Sequence, residues 1–228
     1  MNKEEVRIRL EGLKDEKYKE FNEKLKPSKS RTIGVRMGEI RKIAKELSKG
    51  GFREYVLSLD ESDFYEERLI AGMSIFYSKA EAEEKLKLTK KTVPFIDGWA
   101  TCDSICSTMK LKEKEKPLFW DYVIECAYSG DEFRARYGLV TMLNVFIDDE
   151  HIDEILKIAD SMKYVGYYDA MAAAWLIAEC MARQEEKTFE FMKDNSLDVW
   201  VYNKAIQKMR GSYRISDERK YELKKMLR

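Results

Sequence analysis

Residues 40–47 have the sequence Ile-Arg-Lys-Ile-Ala-Lys-Glu-Leu, in which the apolar side chains recur at spacings of three, one and three. This spacing places Ile40, Ile43, Ala44 and Leu47 on one stripe of an amphipathic helix. Equivalent stripes recur along the chain: Leu69, Met73, Phe76 and Tyr77; Leu139, Met142, Leu143 and Phe146; and Ala205, Ile206 and Met209. No alternating apolar and polar run bounded by hairpin turns accompanies them. The sequence therefore predicts an all-α protein with roughly twelve helices.

Short polar residues mark the predicted helix starts. Asp63, Ser129 and Ser216 each stand just before a helical segment that opens with glutamate, as N-cap residues commonly do. Asp97 is predicted to cap a helix that carries Trp99.

The succession of short amphipathic helices favours an α-solenoid of HEAT-like antiparallel helix pairs with a concave groove. We predict a single HEAT-like repeat domain over residues 1–228. A compact all-α globule is the alternative architecture. The distinction matters for function, because the inner helices of a curved stack line a groove that suits a rod-like partner.

Composition excludes several classes of protein. The longest apolar stretch, residues 170–178, is too short for a transmembrane helix, which needs about twenty residues. The charged N-terminal segment does not resemble a signal peptide, so a cytoplasmic protein without a membrane partner is expected. Four cysteines without a C-x-x-C pair, and one histidine distant from them, predict no metal site. We also expect no cofactor.

The charges are unevenly distributed, although 42 basic residues balance 42 acidic ones. Residues 24–53 contain ten basic and two acidic residues, and residues 204–228 contain nine and three. Both segments can be ordinary solvated helix faces, but they form a polyanion site if the fold places them on one surface. The candidate DNA-binding residues are then Arg36, Arg41, Lys204, Lys208, Arg210 and Arg214.

Three further segments place unusual residues on predicted helices. Trp99 and Asp103 are four residues apart, and therefore on one helix face. Arg136 lies in an otherwise apolar helix, and Trp175 stands among small residues. Each also has an ordinary explanation. The two tryptophans can be core residues, and Asp103 can form a structural ion pair with Arg136. Arg136 can also pack its aliphatic chain against apolar residues while its guanidinium reaches water.

Together these segments resemble the HEAT-repeat alkylpurine DNA glycosylases, the AlkD-like DNA alkylation repair family, along almost the whole chain. The resemblance is carried, in order, by residues 33–36 with 40–45, residues 66–68, the W-x-x-x-D motif of Trp99 and Asp103, Arg136, Trp175, and residues 203–208. One position departs from the pattern. Better-studied members have W-D-x-x-D, and this chain has Ala100 in place of the first aspartate.

The resemblance implies a monofunctional enzyme that hydrolyses the N-glycosidic bond of purines alkylated at N3 or N7 in duplex DNA. Such a base is already cationic and needs no general acid. Asp103 is expected to stabilise positive charge on the sugar, Trp99 and Trp175 to stack on deoxyribose, and Arg136 to hold a phosphate. The family performs this reaction without enclosing the base in a pocket, and a monomer suffices for it.

Two other functions remain open from the sequence. One is a HEAT-repeat module that binds DNA without catalysis, and the other is a solenoid that binds proteins. Release of a methylated base distinguishes the enzyme from both, and salt-dependent affinity for duplex distinguishes the two modules.

Overall fold

A computed structural model describes all 228 residues and contains fourteen α-helices and no β-strand, which confirms the predicted all-α class. The helices are α1 (Lys3–Gly12), α2 (Glu16–Lys24), α3 (Met37–Leu47), α4 (Phe52–Leu57), α5 (Tyr65–Tyr77), α6 (Ala82–Thr92), α7 (Trp99–Cys106), α8 (Lys116–Ala127), α9 (Glu132–Thr141), α10 (Ile152–Ser161), α11 (Tyr167–Arg183), α12 (Glu185–Lys193), α13 (Val199–Gly211) and α14 (Asp217–Lys225). The π-helical turn Met142–Phe146 extends α9. None of these helices has the length and apolar content needed to span a membrane.

The chain forms two compact units, Met1–Phe119 and Trp120–Arg228. In the first unit, α5 packs between α3 and α7, while α4 and α6 contact each other and α5. In the second unit, α11 packs between α9 and α13, while α10 and α12 contact each other and α11. Each unit thus contains two layers in which alternate helices along the chain are neighbours.

Apolar burial holds these layers together. The predicted stripe on α3 is buried throughout, with Ile40, Ile43, Ala44 and Leu47 at most 1% exposed. Burying one large aliphatic side chain stabilises a fold by about 1.5–3 kcal/mol. Close approach of backbones contributes as well, because a Cβ on Gly138 of α9 would stand 2.7 Å from backbone atoms of α8.

The helix caps predicted at Asp63 and Ser129 are wrong. Helix α5 begins after Phe64, and Asp63 instead lies 2.7 Å from Lys3 Nζ in an ion pair with α1. Asp131, rather than Ser129, caps α9 by accepting two backbone N–H groups of its first turn. Asp63 binds the charged ammonium of Lys3 in place of a helix N–H, and at α9 the carboxylate of Asp131 is a stronger acceptor for the first-turn N–H groups than the hydroxyl of Ser129. Ser216 caps α14 as predicted, by accepting the N–H of Arg219.

Candidate functional site

Helix α7 carries the predicted tryptophan and aspartate. Trp99 is its first residue and Asp103 lies one turn later, so the helical period places both on one face. Both side chains are half-buried, whereas Ala100 and Cys102 are buried. The indole Nε1 of Trp99 donates a hydrogen bond of 3.4 Å to the carbonyl of Leu25, which fixes the ring by its edge.

The sequence predicted that Asp97 caps α7, but in the structure it does not. Gly98 occupies the cap position, and no side chain at this position accepts an N–H group of the first turn. The Asp97 carboxylate instead accepts hydrogen bonds from the hydroxyls of Ser28 and Ser30 and, at 3.1 Å, from Nη1 of buried Arg68. A guanidinium in a buried position binds a carboxylate more strongly than a helix N–H does, which explains the difference.

These bonds hold residues 25–30, which we call the 25–30 segment, against the start of α7. The N–H of Ala100 donates to the carbonyl of Pro27 at 3.1 Å. A Cβ on Gly98 would lie 2.2 Å from that same carbonyl oxygen, so the close approach requires glycine. As a result, two exposed cations, Lys26 and Lys29, lie on a segment that is bonded directly to the helix of Trp99.

Glu66 fixes the turn that leads into α3. Its buried carboxylate accepts the backbone N–H groups of Ile33, Gly34 and Val35 at 2.9, 2.7 and 3.2 Å. Gly34 has φ +103°, a conformation that favours glycine and lets successive N–H groups converge on one anion. Two segments that the sequence presented separately, residues 33–36 and 66–68, are therefore one structural unit.

Arg136 and Trp175 lie on neighbouring helices of the second unit, α9 and α11. Arg136 is only 5% exposed, and its Nη1 donates to the carbonyl of Tyr168 in the first turn of α11 at 2.8 Å. The guanidinium is therefore held by protein, and the interpretation that it merely reaches out to water is wrong. Trp175 is half-buried two turns further along α11.

Helix α13 brings two lysines close to Arg136. Lys204 and Lys208 are one turn apart and half-buried. Burial lowers the pKa of Lys208, and the positive charges of Lys204 and Arg136 lower it further. These three residues, which we call the cation cluster, repel one another in the free protein. A bound anion relieves that repulsion, so the cluster is suited to a phosphate.

Of the other four DNA-binding candidates, Arg36, Arg210 and Arg214 are exposed, and Arg41 is half-buried. Two of them already contact a carboxylate. Arg36 lies 2.8 Å from Asp15, and Arg214 pairs with Glu179. A phosphate at either arginine has to compete with that partner, whereas Arg41 and Arg210 form no ion pair.

The only histidine belongs to the core of the second unit. His151 is 7% exposed and packs edge-on against the rings of Trp120 and Phe146, with centroids 4.7 and 5.2 Å away. Its Nδ1 lies 2.6 Å from Asp148. No group of three or more histidine, cysteine, aspartate or glutamate side chains is arranged to hold a metal ion.

The sequence analysis did not identify one cleft in the second unit. Tyr167, the first residue of α11, and Trp200, near the start of α13, are 57% and 43% exposed. They line a cavity of about 480 Å³. The available signal was the pairing of an aromatic residue with a lysine four positions later, Trp200 with Lys204, at a predicted helix face.

Comparison with known proteins identifies one family. Residues 6–209 match the model of a family described as DNA alkylation repair enzyme. No curated protein and no solved structure matches the chain. The matched range includes Trp99, Asp103, Arg136, Trp175 and the two lysines of the cation cluster.

Proposed function

The chain belongs to the DNA alkylation repair enzyme family, and on that premise we propose that it is a DNA glycosylase acting on N3- or N7-alkylated purines in duplex DNA. It leaves an abasic site and forms no covalent intermediate with a lysine. The observation that carries this proposal is the placement of Trp99 and Asp103 on one half-buried face of α7. A fixed carboxylate beside an indole matches the needs of a sugar that acquires positive charge.

The chemistry begins with a base that is already cationic. The bond between C1′ and the purine nitrogen breaks, and its electron pair neutralises the charge on the departing base. Positive charge develops on C1′ and the ring oxygen, where the Asp103 carboxylate stabilises it. Water then forms the new bond to C1′ and loses a proton to solvent. Asp103 accepts a hydrogen bond from this water and orients it.

Trp99 in the first unit and Trp175 in the second each offer a ring face that attracts positive charge, and each is assigned the role of stacking on a deoxyribose of the DNA. The bond from Trp99 Nε1 to Leu25 sets the position of the first indole, and Asp97 holds the 25–30 segment that supplies this carbonyl. Asp97 is thus a positioning residue. Arg136, with the rest of the cation cluster, holds a phosphate of the DNA backbone.

The packing of each unit supports a HEAT-like solenoid. Rows of alternate helices, α3, α5 and α7 in one unit and α9, α11 and α13 in the other, are what stacked helix pairs produce. We propose that HEAT-like repeats make up each unit and that these repeats bind duplex DNA. The protein binds as a monomer.

Release of free base from N-methylated duplex by purified protein tests this function. Chromatography of the supernatant detects the base, and alkaline cleavage of the DNA detects the abasic site. Accumulation of both, in equal amounts, is the expected result. Duplex binding without release of any N3- or N7-alkylated purine contradicts the proposed enzyme.

A non-catalytic DNA-binding module is the second candidate function, and Ala100 favours it. This position has lost the carboxylate that better-studied relatives carry, and its side chain is now buried, 7% exposed, beside the 25–30 segment. Restoring the acid as Ala100→Asp distinguishes the candidates. If wild type is inactive and the variant releases base, the chain is a binding module that lost its chemistry.

A further inference from the structure

We propose that the cleft between the starts of α11 and α13 binds an unpaired nucleotide, whose base packs against Tyr167 and Trp200. The inference rests on the proposed function, because it adds a second nucleic-acid contact to the same protein. We refer to this site as the aromatic cleft. It lies within the second unit, and all of its lining residues come from residues 162–200.

The aromatic cleft has the shape and surface that stacking requires. The rings of Tyr167 and Trp200 meet edge to face, with centroids 5.7 Å apart and planes inclined at 63°, so a base stacks on the open face of one ring and the other ring borders it. Both rings remain largely accessible despite lying at helix starts. The cavity of about 480 Å³ falls in the range of small-molecule sites, which is about 300–1,000 Å³. One nucleotide fits this space.

Charge favours a nucleotide over an apolar ligand. Lys163 lines the cleft, is exposed and forms no ion pair. Nζ of Lys204 lies 5.9 Å from the centre of the Trp200 ring. The acidic lining residue, Asp198, already accepts the N–H groups of Trp200 and Val201 at 2.8 and 3.2 Å. Unpaired bases and their phosphates are usually bound by aromatic faces that lie beside lysines without an ion-pair partner.

The position of the cleft connects it with the cation cluster. Trp200, Lys204 and Lys208 lie on successive turns of α13, a span of about 12 Å at 1.5 Å per residue. A strand whose phosphate is held by Lys208 reaches Trp200 within a few nucleotides. A paired base cannot enter the cleft, because both of its faces are covered within the duplex. The occupant is therefore a nucleotide released by a bulge, a gap or a nearby lesion.

Fluorescence anisotropy with two duplexes tests the inference. One duplex is fully paired, and the other has the same sequence with a single bulged thymidine. Wild type is expected to bind the bulged duplex more tightly. Tyr167→Ala with Trp200→Ala should weaken binding to the bulged duplex about 5- to 100-fold and leave the paired duplex almost unaffected, since stacking contributes about 1–3 kcal/mol per base.

Two further variants make the test specific. Trp200→Phe keeps a stacking face and should retain most of the preference for the bulge. Tyr221→Ala is the matched control, because Tyr221 is 62% exposed and carries Lys225 one turn later, 4.1 Å from its ring centre, outside the cleft. It should bind both duplexes as wild type does. Lys163→Glu changes the charge of the cleft without altering its rings. It should weaken binding to the bulged duplex more than binding to the paired duplex.

Absence of any preference for the bulge in wild type overturns the inference. So does an equal loss on both duplexes in the double variant, which indicates general backbone binding, and so does no loss at all. Base release from methylated duplex is measured separately. A preference for the bulge without base release therefore contradicts the glycosylase and leaves the nucleotide site standing.

Discussion

Replacing Asp103 by asparagine removes one negative charge from α7 and keeps the shape of the side chain. The carboxylate is half-buried in the middle of an eight-residue helix, so it is partly shielded from water and fixed relative to Trp99. A preorganised contact of this kind contributes about 3–4 kcal/mol to the transition state. Excision should therefore slow by about 10²–10³-fold, while affinity for undamaged duplex changes little.

The assay is single-turnover release of 7-methylguanine from duplex DNA, with the rate expressed per folded molecule. Asp121→Asn is the matched control, because Asp121 is an exposed carboxylate on α8 without an ion pair. It should excise at the wild-type rate. A purely structural Asp103 predicts a lower melting temperature for Asp103→Asn and a normal rate per folded molecule. Equal rates for wild type and Asp103→Asn refute Asp103 as the catalytic carboxylate.

Further predictions concern the cation cluster and the packing of the second unit. Replacing Lys204 and Lys208 together by methionine should weaken binding to every duplex alike. In anisotropy titrations, the slope of log affinity against log salt concentration should become shallower by up to about two. An unchanged slope means that neither lysine contacts phosphate. Duplex affinity should fall as the pH rises through the lowered pKa of Lys208, because a phosphate raises that pKa and the bound state takes up a proton. Calorimetry in alkaline buffers of different ionisation enthalpy should detect this proton uptake in wild type, and Lys208→Met should lack it. Gly138→Ala should lower the free energy of unfolding by about 1–3 kcal/mol, since its Cβ meets the backbone of α8. Gly38→Ala, where a Cβ meets no atom within 4 Å, is the control, and an equally large loss there contradicts the packing argument.

The helices and the pair on α7 could be predicted because they depend on local spacing. A period of 3.6 residues decides that Ile40, Ile43, Ala44 and Leu47 share a face, and that Asp103 stands one turn from Trp99. The same local chemistry gave Ser216 as the cap of α14. The order of the motifs along the chain was sufficient to indicate the family, which the match over residues 6–209 then showed.

Contacts between residues distant in sequence depended on the tertiary structure. Asp97 was predicted to cap α7, but Arg68 and two serines some 70 positions earlier hold its carboxylate. Glu66 accepts the N–H groups of a turn more than 30 residues away. Which donor a carboxylate finds depends on how helices pack, and a single sequence contains no periodic signal for that.

The electrostatic environment of Lys208 and the aromatic cleft have the same origin. The pKa of Lys208 is lowered by burial and by Arg136 on another helix, neither of which is visible in a run of lysines. Tyr167 and Trp200 meet because α11 and α13 are neighbours, although 33 positions separate them in the chain. Local periodicity therefore determined the helices and the face of each helix. The packing of those helices decided which faces share a site, because charge and stacking act through space and not along the chain.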